Sequence, residues 1–286
     1  MIKIFFMSVV FLFTVLVRFE ANAANVEHVV IVSIDGGKPT TMNKSRMPNL
    51  RKLVASGAST FNAKTIFPSK TLPSHVSMLT GVPPSMHKVT WNDWIPSKGE
   101  VKVPTIFGLA KAQGYSTAIF AAKEKFKHLE VKGTLDMFSI DGRLAVEIAE
   151  NASRYLDSNL PNLMFVHLPD ADVSGHAGGW DSPSQLKALE QVDIAIGILM
   201  QGISKSLAGK SYALILTGDH GGTGQNHGSP SPMDSTIPWI AWGTTAKVNT
   251  VLISPVSTMD TAATALWLMG VPVPSDFTGI PVVEAF

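Results

Sequence analysis

The stretch Val29-Val30-Ile31-Val32-Ser33-Ile34, closed by Asp35-Gly36-Gly37, decides the fold. A short apolar run bounded by a turn signal reads as a strand buried on both faces. Outward from it, apolar runs and amphipathic stretches keep alternating. A helix is predicted around Pro48–Ser56, ending at Gly57, and another from Thr71 to Gly81. A third, from about Pro104 to Gly114, precedes the strand Ser116–Phe120. Residues 143–157 have helical periodicity and lead to the strand Leu163–Leu168; a long helix near 183–207 precedes the strand Tyr212–Thr217. Pro238–Trp242 and Val251–Ser254 read as later strands. This alternation predicts an α/β fold, a three-layer αβα sandwich with a mostly parallel central sheet, in one domain.

The totals fit such a chain. It has 286 residues, 45% hydrophobic and 16% charged, so a disordered or polyelectrolyte chain is excluded. A net charge of +1 gives no field for nucleic acid. With no cysteine there is no disulfide framework, thiolate metal site, catalytic thiol or Cys-derived formylglycine.

The start reads differently from the rest. Lys3 precedes an apolar run over residues 4–17, interrupted only by Ser8 and Thr14, and Ala21 and Ala23 have the A-x-A spacing of a signal-peptidase site. The run has 14 residues, short of the ~20 that span a bilayer. We expect a signal peptide over 1–23, cleaved near Ala23, a periplasmic or secreted product and no stable membrane anchor. Removing Lys3, Arg18 and Glu20 leaves 263 residues with 21 basic and 21 acidic side chains.

In open parallel sheets ligands sit beyond the carboxyl ends of the strands. Asp35 follows the first strand. Thr71 lies in FPSKTLPSH at a helix start, and Asn92 in HKVTWNDW. Asp172 and His176 lie in LPDADVSGH, read as a glycine-containing loop, and Asp219, His220 and His227 in LTGDHGGTGQNHG. Three Asp and three His supply the nitrogen and oxygen ligands that two zinc ions accept when cysteine is absent; manganese or iron also suits such donors. Asp219 with His220 can reach one ion, and Asp172 with His176 another. A hydroxyl at the start of a helix either caps it or, next to a metal, becomes a nucleophile.

Together these residues resemble the alkaline phosphatase superfamily, in particular its type I phosphodiesterase/nucleotide pyrophosphatase branch. FPSKTLPSHVSMLTG is similar to the branch's nucleophile segment, Asn92 stands 21 positions after Thr71, DVSGH matches a D-x-x-G-H ligand pair and GDHGG a D-H-G segment. His227, followed by SPMDSTIPWIAWG, resembles the last His ligand. The resemblance implies an alkaline-phosphatase-like core with minimal cap over residues 24–286. Asp35, Thr71, Asp219 and His220 would bind one Zn2+, and Asp172, His176 and His227 the other. It also implies a covalent phospho-threonine intermediate on Thr71, with Asn92 and the amide after Thr71 holding a phosphoryl oxygen. Asp170 lacks the spacing to His176, and His28, His75, His87, His128 and His167 fall on no ligand position, so they are expected to be structural.

Departures from the branch bear on substrate. Only six residues separate His220 from His227, where nucleotide pyrophosphatases carry a long insertion. No Arg stands beside Thr71 to grip a monoester, which favours phosphodiesters. Lys123-Glu124-Lys125 is either a solvated charge cluster or a substrate-binding pair similar to the Lys-x-Arg of Thr-nucleophile phosphomonoesterases. Trp91, Trp94 and Trp180 either stack a leaving group or pack. The expected partner is a small phosphate ester or related anion, not nucleic acid. The alternatives are a phosphomonoesterase, a phosphonate or sulfate ester hydrolase, and last a non-catalytic binding protein. Formylglycine sulfatases are excluded because no C/S-x-P-x-R stretch stands at Thr71.

Overall fold

Successive side chains of the first strand serve two separate cores. Val29 and Ile31 pack into one, and Val30, Val32 and Ile34 into the other, because neighbouring residues of a strand point to opposite faces. The computed structural model describes residues 25–286; the signal peptide expected over 1–23 lies outside them. Its strands are β1 His28–Ile34, β2 Ala58–Lys64, β3 Thr117–Phe120, β4 Met137–Ser139, β5 Leu163–Leu168, β6 Tyr212–Gly218, β7 Thr236–Gly243 and β8 Thr250–Val251.

They form one eight-stranded sheet in the order β4-β3-β5-β1-β6-β7-β2-β8. The pairings β3·β4, β3·β5, β1·β5, β1·β6 and β2·β8 are parallel. β7 runs antiparallel to both β6 and β2. Helices Thr71–Thr80, Ile106–Ala112 and Asp260–Leu268 cover one face, and Pro48–Ala55, Ala145–Asn159 and Pro183–Ser206 the other. The fold is therefore a three-layer αβα sandwich about a mostly parallel sheet. Truncating a buried Ile to Ala forfeits about 2–5 kcal/mol, so β1 alone anchors both layers. Among the described residues no helix is long and apolar enough to cross a membrane.

Three local differences from the sequence reading stand out. The segment carrying Asp172 and His176 is a helix, Asp170–Gly178, rather than a loop. The last strand stops at Val251, because Ile253 and Ser254 turn their amides to the Glu284 carboxylate. β2, β4 and helix Asp260–Leu268 had no counterpart in the apolar pattern.

Candidate metal centre and nucleophile

The strand order brings the chemistry together. β5, β1 and β6 are neighbours, and Asp172, Asp35 and Asp219 all follow their carboxyl ends. Gly36, at φ +71°, turns the chain after β1; a Cβ there would stand 3.0 Å from the Cα of Asp172. That close approach explains the glycine. The Gly36 amide donates to Asp219 Oδ1 at 3.0 Å.

Two ligand groups result. Asp35, Asp219 and His220 converge in one, and Asp172, His176 and His227 in the other, the division implied by the family resemblance. Their rings are contiguous: His220 and His227 stack with centroids 3.7 Å apart.

Each carboxylate has one oxygen committed to protein and one bare. Asp219 Oδ1 accepts the amides of Gly36 and His220 at 3.0 and 2.9 Å. Asp35 Oδ2 accepts His167 Nε2 at 2.9 Å and the Lys123 ammonium at 2.5 Å. Asp172 Oδ2 takes the same ammonium at 2.5 Å. Asp35 Oδ1, Asp172 Oδ1 and Asp219 Oδ2 are buried with no hydrogen-bond partner. Three such orphans are costly unless a cation is meant to meet them.

The histidines show the same division. Nδ1 of His176, His220 and His227 donates to the carbonyls of Gln225, Gly221 and Ser69 at 2.8, 2.8 and 2.9 Å. A carbonyl only accepts, so Nδ1 carries a proton and Nε2 is the ring nitrogen turned to the centre. His220 Nε2 stands 3.3 Å from both Asp35 Oδ1 and Asp219 Oδ2, and 3.4 Å from Thr71 Oγ1. Asp172 Oδ1 stands 3.3 Å from His176 Nε2 and 3.6 Å from His227 Nε2. Atoms about 2.0–2.1 Å from a tetrahedral ion lie about 3.4 Å from one another, so both groups fit a divalent cation.

Protonation in the bare protein follows from crowding. Burial and the neighbouring Asp35 charge raise Asp219 to about 8. Burial pulls Asp35 upward too, but Lys123, with His167 and His220, outweighs it and holds that carboxyl well below the usual range. Burial works against charging His220, yet Asp219, Asp35 and Asp172 raise it to about 9. Asp35 thus stays charged while Asp219 and His220 hold protons as a coupled pair.

Thr71 opens helix Thr71–Thr80 and is buried, and the helix has no side-chain cap. Its hydroxyl meets His220 rather than an orphan amide, which removes the capping role. The Leu72 amide donates to Asn92 Oδ1 at 2.8 Å. It is thereby engaged instead of free to hold a phosphoryl oxygen, and it fixes Asn92 so that the Nδ2 donors remain available.

The short loop after β6 needs no insertion to deliver His227. Gly221 and Gly222 amides donate to the carbonyls of Asp234 and Met233 at 2.7 and 3.0 Å, and Asp234 Oδ2 accepts the Ser229 amide at 2.9 Å. Trp180 wedges behind, only 7% exposed, against the rings of His176, His220 and His227. A Cβ on Gly222 would come within 2.3 Å of its indole. Trp180 is therefore packing for the ligands. Trp91 donates to His128 Nε2 at 3.2 Å, and the Trp94 ring lies 4.5 Å from that imidazole, so these two pack as well.

Other polar residues divide cleanly. Asp170 accepts the Ala145 amide at 2.6 Å and belongs to neither group. His28, His87 and His128 bond to backbone, serine and Trp91 groups outside the ligand sets, whereas His75 packs behind the site, bonded to Ser33 Oγ and the Thr71 carbonyl. His167 also ligates nothing, yet it orients Asp35, a contact prepared by the β1–β5 register that pairs Ser33 with His167. A lone His inside an apolar strand was the signal available for it. Lys123 is engaged by two carboxylates, whereas Lys125 has no hydrogen bond or ion pair among the described residues. Burial and the Lys123 charge lower its pKa.

The fold and the two candidate ligand groups agree with the resemblance to the alkaline phosphatase superfamily. A profile of type I phosphodiesterases/nucleotide pyrophosphatases matches residues 29–247, and the chain belongs to that family. It is 28% identical over 224 residues to an uncharacterized pyrophosphatase/phosphodiesterase of Schizosaccharomyces pombe, covering 70% of this chain and 46% of that protein. Mouse ectonucleotide pyrophosphatase/phosphodiesterase family member 1 is 27% identical over 217 residues, covering 67% and 24% respectively. The chain thus spans less than half the length of either curated relative.

Among solved structures, an inactive Thr-to-Ala form of murine ectonucleotide pyrophosphatase/phosphodiesterase 5, in complex with AMP, superposes with a TM-score of 0.76 at 14% identity, over 88% of this chain and 97% of that one. A 2-O GAG sulfatase superposes with a TM-score of 0.74 at 15% identity, over 90% and 73%.

Proposed function

We propose that this chain is a two-metal hydrolase of phosphate esters, acting on phosphodiesters ahead of monoesters through a phospho-threonine at Thr71. The observation that carries the reading is the pair of ligand groups with bare, buried oxygens, one of them meeting the Thr71 hydroxyl. Asp35, Asp219, His220 and Thr71 would hold one ion, and Asp172, His176 and His227 the other. Zinc suits the nitrogen–oxygen donors, and manganese or iron is compatible. When bound, the ions supply Lewis acidity on both sides of an in-line displacement.

The chain's own residues do the rest. Thr71 Oγ1 releases its proton to solvent and forms a bond to phosphorus as the bond to the leaving oxygen breaks. Water then attacks phosphorus, the Thr71 ester bond breaks, and the hydroxyl is regenerated. Asn92 Nδ2 donates to a non-bridging oxygen as its charge develops. Lys125, unpaired among the described residues, would meet additional substrate charge, since Lys123 is already shared by Asp35 and Asp172. Murine family member 5 binds AMP, but with six residues between His220 and His227 the reading here stops at the ester class.

Turnover of bis-aryl phosphate, aryl phosphate, aryl sulfate and phosphonoacetate by the metal-loaded chain tests the reading. Bis-aryl phosphate should be cleaved fastest; a folded, metal-loaded chain that cleaves none of the four would sink it. We further propose that residues 1–23 are an export leader and 24–286 the hydrolase domain. N-terminal sequencing of protein from the periplasm or medium should begin near Ala24. A mature chain beginning at Met1 would overturn that assignment.

A further inference from the structure

We propose that Lys123 is a built-in third cation of the metal centre, shared by its two halves; this rests on the two-metal reading above. One ammonium lies 2.5 Å from Asp35 Oδ2 and 2.5 Å from Asp172 Oδ2, with its side chain 19% exposed. Asp35 belongs to one ligand group and Asp172 to the other, so a single side chain touches both. The strand order explains how: β3 lies next to β5, and β5 next to β1. The loop after β3 therefore reaches the ends of the two strands that carry these carboxylates.

The contacts are selective for the carboxylate oxygens opposite the bare ones. Oδ2 of each carboxylate meets Lys123, while Oδ1 of each is bare towards its own group. The buried carboxylates of Asp35 and Asp172 repel one another. An ammonium among them keeps the site assembled before any metal arrives. Its positive charge also opposes the arrival of further cations. Lys123 thus exchanges some metal affinity for a preformed site, and it does so at both halves. That makes it a positioning residue rather than a substrate contact.

The two effects have opposite signs in one experiment. Lys123→Met keeps the length of the side chain and removes its charge. Metal-free wild type and variant are titrated with Zn2+ against a chromophoric chelator, and their thermal midpoints are recorded without metal. The variant should melt lower without metal and, with the ammonium's repulsion gone, bind Zn2+ more tightly in both steps, by about tenfold. Lys123→Arg should restore both properties towards wild type. Should the Met variant fail to fold, Lys123→Gln, neutral but still a donor, should show the same tightening. Unchanged or weaker binding, or a change confined to one step, overturns the proposal. A folded wild-type chain that takes up no metal instead removes the two-metal reading on which the proposal stands.

Discussion

Thr71→Ala is expected to abolish phosphodiester turnover by roughly three orders of magnitude or more, with metal content retained. The side chain makes one polar contact, to His220 at 3.4 Å, and caps nothing. Its loss therefore removes the attacking oxygen and one ligand, but no structural bond. The buried methyl should cost about 1 kcal/mol of stability, a small change in thermal midpoint. Three ligands remain in the first group and three in the second, so two ions per chain should still be measured. Thr71→Ser, which keeps the hydroxyl, should recover a substantial part of the rate. Rapid quenching of the wild type with substrate should yield a phosphoryl group on Thr71 by peptide mass spectrometry. Turnover close to wild type in the alanine variant would assign the attack to water and exclude the covalent route.

Removing the metals should have the second large effect, on stability as well as rate. A site filled at a thousand times its dissociation constant contributes about 4 kcal/mol. Emptying one should lower the thermal midpoint by on the order of 10 °C, with activity falling to background. The chelated protein should also acquire a pH dependence that the loaded protein lacks. Asp219, raised to about 8, and His220, raised to about 9, bind protons more tightly in the metal-free fold than in the unfolded chain, where about 3.9 and 6.5 apply. Their stabilisation is complete below those unfolded values and is lost as pH climbs through 8 and 9. His227 and His87, both lowered to about 4 with burial as the leading cause, act oppositely below about pH 6.5. The clean window is therefore about pH 6.5 to 9, where the chelated protein should melt progressively lower as pH rises. Calorimetry with and without chelator measures it, and parallel curves would contradict the assignment of these groups to bound cations.

The parts of the molecule legible in the sequence were those with strong periodicity. Leu163–Leu168 agrees at both ends, and Pro183–Ser206 ends within one residue of the reading. β2 was silent because ASTFNAK is half polar; it sits between antiparallel β7 and two-residue β8, and its register shifts between Thr60 and Ala63. β4 has only three residues. Helix Asp170–Gly178 was hidden by Gly175, Gly178 and two aspartates, all weak helix formers. Its i,i+4 geometry nevertheless puts Asp172 and His176 on one face, as their spacing permits. The candidate ligand residues stood out in the sequence because chemistry restricts which side chains can serve. Lys123 did not, since nothing in Lys-Glu-Lys says which carboxylates an ammonium will meet. Only the order β3-β5-β1 does.

That strand order also decides when the site can exist. The Gly36–Asp219 bond joins residues 183 positions apart, and the carbonyl that fixes His227 belongs to Ser69, 158 positions away. Neither contact is available until β6 has docked beside β1, and such distant closures are late and slow events in folding. A nascent chain that has not yet made β6 holds Asp35, Thr71 and Asp172 but no complete ligand group. Metal capture at the proposed centre would thus be confined to chains in which β6 has docked beside β1, and the ions would report that folding rather than guide it.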